Sequence, residues 1–216
     1  MSRELVFKRI RQALQNGGED TSATGAPSTW EYGRPTAVAD PIGLFIERIK
    51  DYRAVVLRTP GVEEVPLLIA SCLAKAQATS VVVPVGFDEA WIRTAALAGI
   101  ELYRDEPPLS KQELDGISAV VTTATSAMAE TGTIALDHRS GQGRRILTLL
   151  PDTHVCVIRI DQIVSDVPES MALLKTSIQA GLPITLISGP SATSDIELTR
   201  VEGVHGPRNL YVIVVG

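Results

Sequence analysis

The side chains best suited to chemistry in this sequence fall in three short polar segments. In the first, Glu130 is followed by Thr131, Gly132 and Thr133, a carboxylate beside a Thr-Gly-Thr turn. A carboxylate so placed can act as a general base or as a nucleophile. It is equally suited to accept hydrogen bonds from the turn's own N–H groups, and the local sequence leaves both roles open. The second segment runs Ser188-Gly189-Pro190-Ser191-Ala192-Thr193-Ser194-Asp195. Gly189 permits close backbone approach, and the hydroxyls of Ser188, Ser191 and Thr193 with nearby N–H groups can cradle a phosphate or carboxylate. Asp195 is either a further site carboxylate or the cap of a short helix. In the third, Gly203, Gly206 and Pro207 fix a turn around His205 and Arg208. Histidine exchanges protons near neutral pH, and arginine binds oxyanions through parallel N–H groups. Such a pair can also do no more than hold its turn.

Glu130 and His205 are thus the candidate catalytic groups. Thr131, Gly132, Thr133, Ser188, Gly189, Ser191, Thr193, Asp195 and Arg208 are the candidates for binding an anion or substrate. Two weaker features remain. Gly141-Gln142-Gly143-Arg144-Arg145 reads as an exposed connector or a flexible phosphate-reaching loop, and His138 as a solvated strand end.

These residues need a scaffold to position them. Short, mainly apolar runs occur at Ala54–Leu57, Ser80–Pro84, Ile100–Tyr103, Ser118–Thr123, Thr133–Leu136, Val155–Ile160, Ile184–Ile187 and Leu210–Val215. Helical periodicity separates several of them, over 62–77, 88–98 and 168–179, and a short helix is expected through Ala127–Ala129. Asp40-Pro41 opens a further helix striped by Ile42, Phe45, Ile46 and Ile49, with the acid as cap and the proline at the first helical position. Asp88 and Gly99 bracket the 88–98 helix, and Ser110 with Glu113 makes a capping box. Apolar strands alternating with helices predict an α/β fold, a mostly parallel sheet covered by helices on both faces. In such sheets ligands bind beyond the carboxyl ends of the strands, where the three polar segments are expected. An amphipathic helix over 2–15 and a Gly/Ser/Thr/Pro-rich stretch over 16–39 divide the chain into an arm with linker, 1–39, and an α/β domain, 40–216.

Composition excludes several classes. With 44% hydrophobic and 21% charged residues the chain has a core, and only 4% aromatics leaves Val, Ile, Leu and Ala to fill it. A net charge of −5 and a pI near 5.3 argue against a nucleic-acid binder. The first residues, MSRELVFKRIRQAL, lack the apolar core of a secretory signal, and the uncharged run Thr176–Ser194 is broken by glycines and prolines. A cytoplasmic protein without a membrane span is expected. Cys72 and Cys156 are too few for a four-cysteine iron–sulfur cluster, and His138, His154 and His205 have no metal-ligand spacing.

The stretches AETGTIAL, RRILTLLPDTHVCVI, GPSATSDIE and GVHGPRNLYVIVV, in this order, resemble the LUD-domain family, and within it the lactate-utilisation protein C (LutC/YkgG) subfamily. Glu130 stands where many relatives carry aspartate, and Ala192 where a basic residue is common. The resemblance implies a fold similar to the NagB/RpiA/CoA-transferase-like group. It also implies an accessory role in oxidising L-lactate to pyruvate, with iron–sulfur clusters carried only by partner subunits and no cofactor in this chain. A small carboxylate or phosphate anion is the expected ligand. The other reading is a stand-alone enzyme of that fold group acting on a small anionic metabolite, with Glu130 as base or nucleophile. A third is a regulatory or scaffold module that binds a metabolite without turnover.

Overall fold

The computed structural model describes residues 3–16, 33–193, 201–202 and 206–216. The chain forms two units, Met1–Arg34 and Pro35–Gly216. The first contains helix α1, Arg3–Asn16, whose Leu5, Val6 and Ile10 are exposed.

The second unit opens with α2, Pro41–Asp51, as the Asp40-Pro41 pair predicts: the Asp40 carboxylate accepts from Gly43 N at 2.9 Å. Then come β1 (Val55–Thr59), α3 (Val65–Lys75), β2 (Ser80–Val83), α4 (Glu89–Leu97), β3 (Glu101–Arg104) and α5 (Lys111–Asp115). They are followed by β4 (Ala119–Thr123), β5 (Ser126–Met128), β6 (Thr133–Leu136), β7 (Thr153–Arg159) and β8 (Ile163–Val164). Helix α6 (Val167–Gln179), β9 (Thr185–Ile187), β10 (Ala192–Thr193), β11 (Val201–Glu202) and β12 (Asn209–Val215) complete the chain. The capping box of Ser110 and Glu113 forms, and Asp88 caps α4.

Six strands make one sheet in the order β1-β12-β7-β4-β2-β3, every pair parallel. Alternation along the strands sends side chains to opposite faces. Val155, Val157, Tyr211 and Ile213 pack against α3 and α4 through Ile69, Cys72, Leu73 and Ile92. Cys156, Ile158, Val212 and Val214 face the other way, onto Phe45 and Ile49 of α2 and onto Ala127, Ile134 and Leu136. Leu114 of α5 and Leu147 cover Val82 and Val120. The α/β class and the parallel sheet stand as read from the sequence.

One layer was not anticipated. Strands β8, β5, β6 and β9 form a second, mixed sheet of four. The strands at 133–136 and 184–187 were expected in the main sheet; both belong to this one, where they pair antiparallel with each other. The helix expected through Ala127–Ala129 is strand β5, bonded to β6 on one side and to β8 on the other. A segment this short cannot repay helix nucleation, whereas pairing on both edges satisfies its backbone at once. Leu174 of α6 covers the outer side of this sheet, against Met128 and Ala135.

Candidate functional site

The Glu130 segment is the turn of the β5–β6 hairpin. Ala129 N donates to Val164 O at 2.9 Å and Glu130 N to Ser165 O at 3.0 Å, so the turn is laced to the end of β8. Gly132 has φ +59°, and a Cβ there would lie 2.6 Å from Ile49 N, which lets the turn press against α2. Thr133 Oγ1 lies 2.8 Å from Ser188 Oγ, joining the first predicted segment to the second. The Glu130 and Thr131 side chains are exposed. They share a hollow of about 590 Å³ with Arg48, Asp51, Tyr52 and Ser188.

The second segment lies beside another cavity. Gly189 sits against Tyr52, where a Cβ would approach the Tyr52 Cβ to 2.7 Å. Ser191 N donates to Pro207 O at 2.8 Å, which joins the second segment to the third. Ser188–Ser191, Gly206 and Pro207 line a cavity of about 460 Å³ together with β9. His154 and Leu210 line it from the main sheet, and Arg145, Thr148 and Leu149 from the short helical turn before β7. His154 and Leu210 are the second residues of β7 and β12, so the cavity lies at the amino ends of these strands, not beyond the carboxyl ends as expected from the fold class.

His154 is 1% exposed, and its Nε2 lies 2.8 Å from Thr122 Oγ1. Burial pushes its pKa down to about 4, so the imidazole is neutral at physiological pH. Burial likewise raises Cys156 to about 12, against a smaller opposing hydrogen bond from Thr122. Arg145 is exposed and forms no ion pair among the described residues.

Arg208 does not join this cavity. Its Nε lies 3.5 Å from Asp152 Oδ1, with both side chains largely exposed, in a separate polar hollow. Thr193 pairs with Val201 in the β10–β11 ribbon. Asp195 and His205 lie outside the described residues.

The glycine-rich loop before β7 also differs from its sequence reading. Gly141 and Gln142 are buried. Gln142 Oε1 accepts from Asp137 N at 2.8 Å and His138 N at 3.2 Å, while its Nε2 donates to Thr125 Oγ1 at 2.8 Å. His138 is no solvated strand end: Nδ1 lies 2.8 Å from Gly143 O and Nε2 2.7 Å from Thr185 Oγ1. Arg144 holds Asp105 through two contacts of 2.6 Å. Burial acts to raise the Asp137 carboxyl, but the Ser177 and Thr125 hydroxyls, the Arg139 N–H and the Arg139 charge together hold it below its usual value. The loop is a satisfied polar network rather than an open connector.

The LUD domain model matches residues 42–215. The chain belongs to the LUD-domain family. Among its relatives, the Lactate utilization protein C of Deinococcus radiodurans is 50% identical over 182 residues, covering 84% of this chain and 82% of that protein. The Lactate utilization protein C of Geobacillus kaustophilus is 34% identical over 116 residues, covering 50% of this chain and 48% of that one. A crystal structure of a DUF162 family protein from Deinococcus radiodurans superposes with a TM-score of 0.68 at 42% identity, covering 84% of this chain and all of that one.

Within this LUD domain, sequence reasoning passed over Tyr52, Thr148 and His154 as site residues, and took Arg145 only as part of an exposed connector or phosphate-reaching loop. For His154 a signal existed: a histidine at the entry of an otherwise apolar strand must be buried or must mark an edge. For Arg145 none did, since nothing local separates it from Arg144, whose guanidinium is taken by Asp105. Among the described residues no group of three or more His, Cys, Asp or Glu is placed to hold a metal ion. No described helix is long and apolar enough to cross a membrane.

Proposed function

We propose that this chain serves L-lactate utilisation as an accessory subunit of a complex that oxidises L-lactate to pyruvate, and that it binds a small organic anion in the cavity lined by Ser188, Gly189, Ser191 and Arg145. The observation that carries the reading is the 50% identity to a Lactate utilization protein C across 84% of the chain. Oxidation of lactate removes a hydride equivalent and a proton, so the complex needs an electron acceptor. The donor set of this chain does not suit an iron–sulfur cluster. Cys72 and Cys156 are buried in separate cores on opposite faces of the main sheet, their thiols raised by burial to about 11 and 12. Thiolate ligands therefore come from partner subunits, and this chain contributes binding or assembly.

The test is growth on L-lactate as sole carbon source in a strain lacking this gene and any other lactate dehydrogenase. Growth lost without the gene and restored by it is the expected result, with cluster-bearing proteins co-purifying from lactate-grown cells. Growth that persists without the gene overturns the reading. A second reading, in which Glu130 does proton chemistry on a small anion, draws on the hollow that Glu130 shares with Arg48 and Ser188. Complementation by Glu130→Ala as well as by wild type would retire it.

A further inference from the structure

The cavity that β9 and the main sheet line carries a buried polar atom without a partner among the described residues. His154 is almost fully enclosed and is one of the residues lining the cavity. Nε2 is engaged by Thr122, but Nδ1 has no hydrogen bond among the described residues. Buried polar atoms are nearly always satisfied, and an orphan facing a cavity points to water or a ligand. Three of the hydroxyls that line the cavity are already in use. Thr185 is held by His138, Thr148 donates to Arg145 O at 3.1 Å, and Ser188 is bonded to Thr133. The permanent cation among the described lining residues is the Arg145 guanidinium, exposed where His154 is buried. Leu149, Ile187 and Leu210 add apolar surface to the same lining.

We infer that this cavity takes an elongated organic carboxylate, its charged end on Arg145 at the rim, an apolar body inside, and a neutral hydroxyl at the buried end on His154 Nδ1. The inference deepens the anion site proposed above and rests on it. Charge is confined to the rim because a second charge at the His154 end would be desolvated without a counter-ion. With its pKa near 4, His154 itself supplies none at neutral pH. A hydroxyl suits either tautomer of the imidazole, since it can donate to a bare Nδ1 or accept from a protonated one. Size points the same way. A volume of about 460 Å³ lies within the range for ligands much larger than lactate.

Matched probes test this on the full-length protein. 4-Hydroxyphenyllactate is compared with phenyllactate, and 6-hydroxyhexanoate with hexanoate, by calorimetric titration, with L-lactate alongside. At least one hydroxylated probe should bind ~10-fold or more tightly than its deoxy partner, because a site that reads a hydroxyl penalises its loss. Arg145→Ala should weaken both members of that pair, and His154→Leu should erase the preference between them. In wild-type protein labelled with ¹⁵N, the same probe should shift the His154 Nδ1 resonance and leave Nε2 nearly unmoved, a readout independent of how the variants fold. Binding of the probes or of lactate with no hydroxyl preference and a stationary Nδ1 overturns the inference and leaves the anion site standing. If no carboxylate binds, site and inference fall together, while the growth test still decides the role in lactate use.

Discussion

His154 links stability to pH at the scale of a single residue. In the unfolded chain its imidazole protonates near the ordinary histidine value of 6.5, but in the folded protein only near pH 4. Between those values the unfolded state holds the extra proton, so this contribution to stability is complete above pH 6.5 and is lost as pH falls toward 4. Urea denaturation at pH 7 and at pH 4.5 should show wild type losing about 2 kcal/mol more than His154→Gln over that interval. Asp137, held low in the folded state, adds a loss with the same sign at more acidic pH, where its carboxylate takes up a proton. Gly132 tests the backbone instead. Its positive φ and the 2.6 Å approach to Ile49 N leave no room for a methyl group. Gly132→Ala should cost about 2–4 kcal/mol, read as a lower denaturation midpoint.

Among the elements, α6 and its cap govern the hairpin that carries Glu130. Asp166 is 2% exposed and its carboxylate accepts from Glu169 N at 3.1 Å and from Thr36 N. The residue before it, Ser165, is the one whose carbonyl receives Glu130 N. Asp166→Ala should therefore cost about 2 kcal/mol, at the upper end for a lost cap, and hydrogen exchange should quicken at Glu130 N as the helix start loosens. Helix caps were legible because they are local: Asp40, Asp88 and the Ser110–Glu113 pair each act within a few residues of themselves. Strand β5 was not legible. Its Ser-Ala-Met composition has no strand signature, and what makes it a strand is pairing to β6 and to the distant β8.

Across the whole molecule, every described residue of the four core clusters lies at or beyond position 42. We propose accordingly that the arm contributes association rather than folding. A chain shortened by residues 1–34 should melt in one cooperative transition, within about 3 °C of full length, which at this size corresponds to roughly 1 kcal/mol. A larger fall in Tm would assign the arm to the stability of the domain.

Sequence alone determined the α/β class, the parallel main sheet, the principal helices with their starts, and the resemblance to the LUD-domain family, because each is written in short-range patterns of apolar, capping and small polar residues. It also brought the Thr133 and Ser188 segments forward, and they do touch. Tertiary structure alone decided which cations and polar atoms face the cavity. Arg208 turns to Asp152, Arg144 to Asp105, and Arg145 is left at the cavity wall beside the buried His154. The physical reason is that the partner of a charge or a ring nitrogen is set by which distant strands and turns pack together. Asp105 lies 39 residues from Arg144, and Thr122 lies 32 from His154, separations over which local sequence exerts no constraint on side-chain direction.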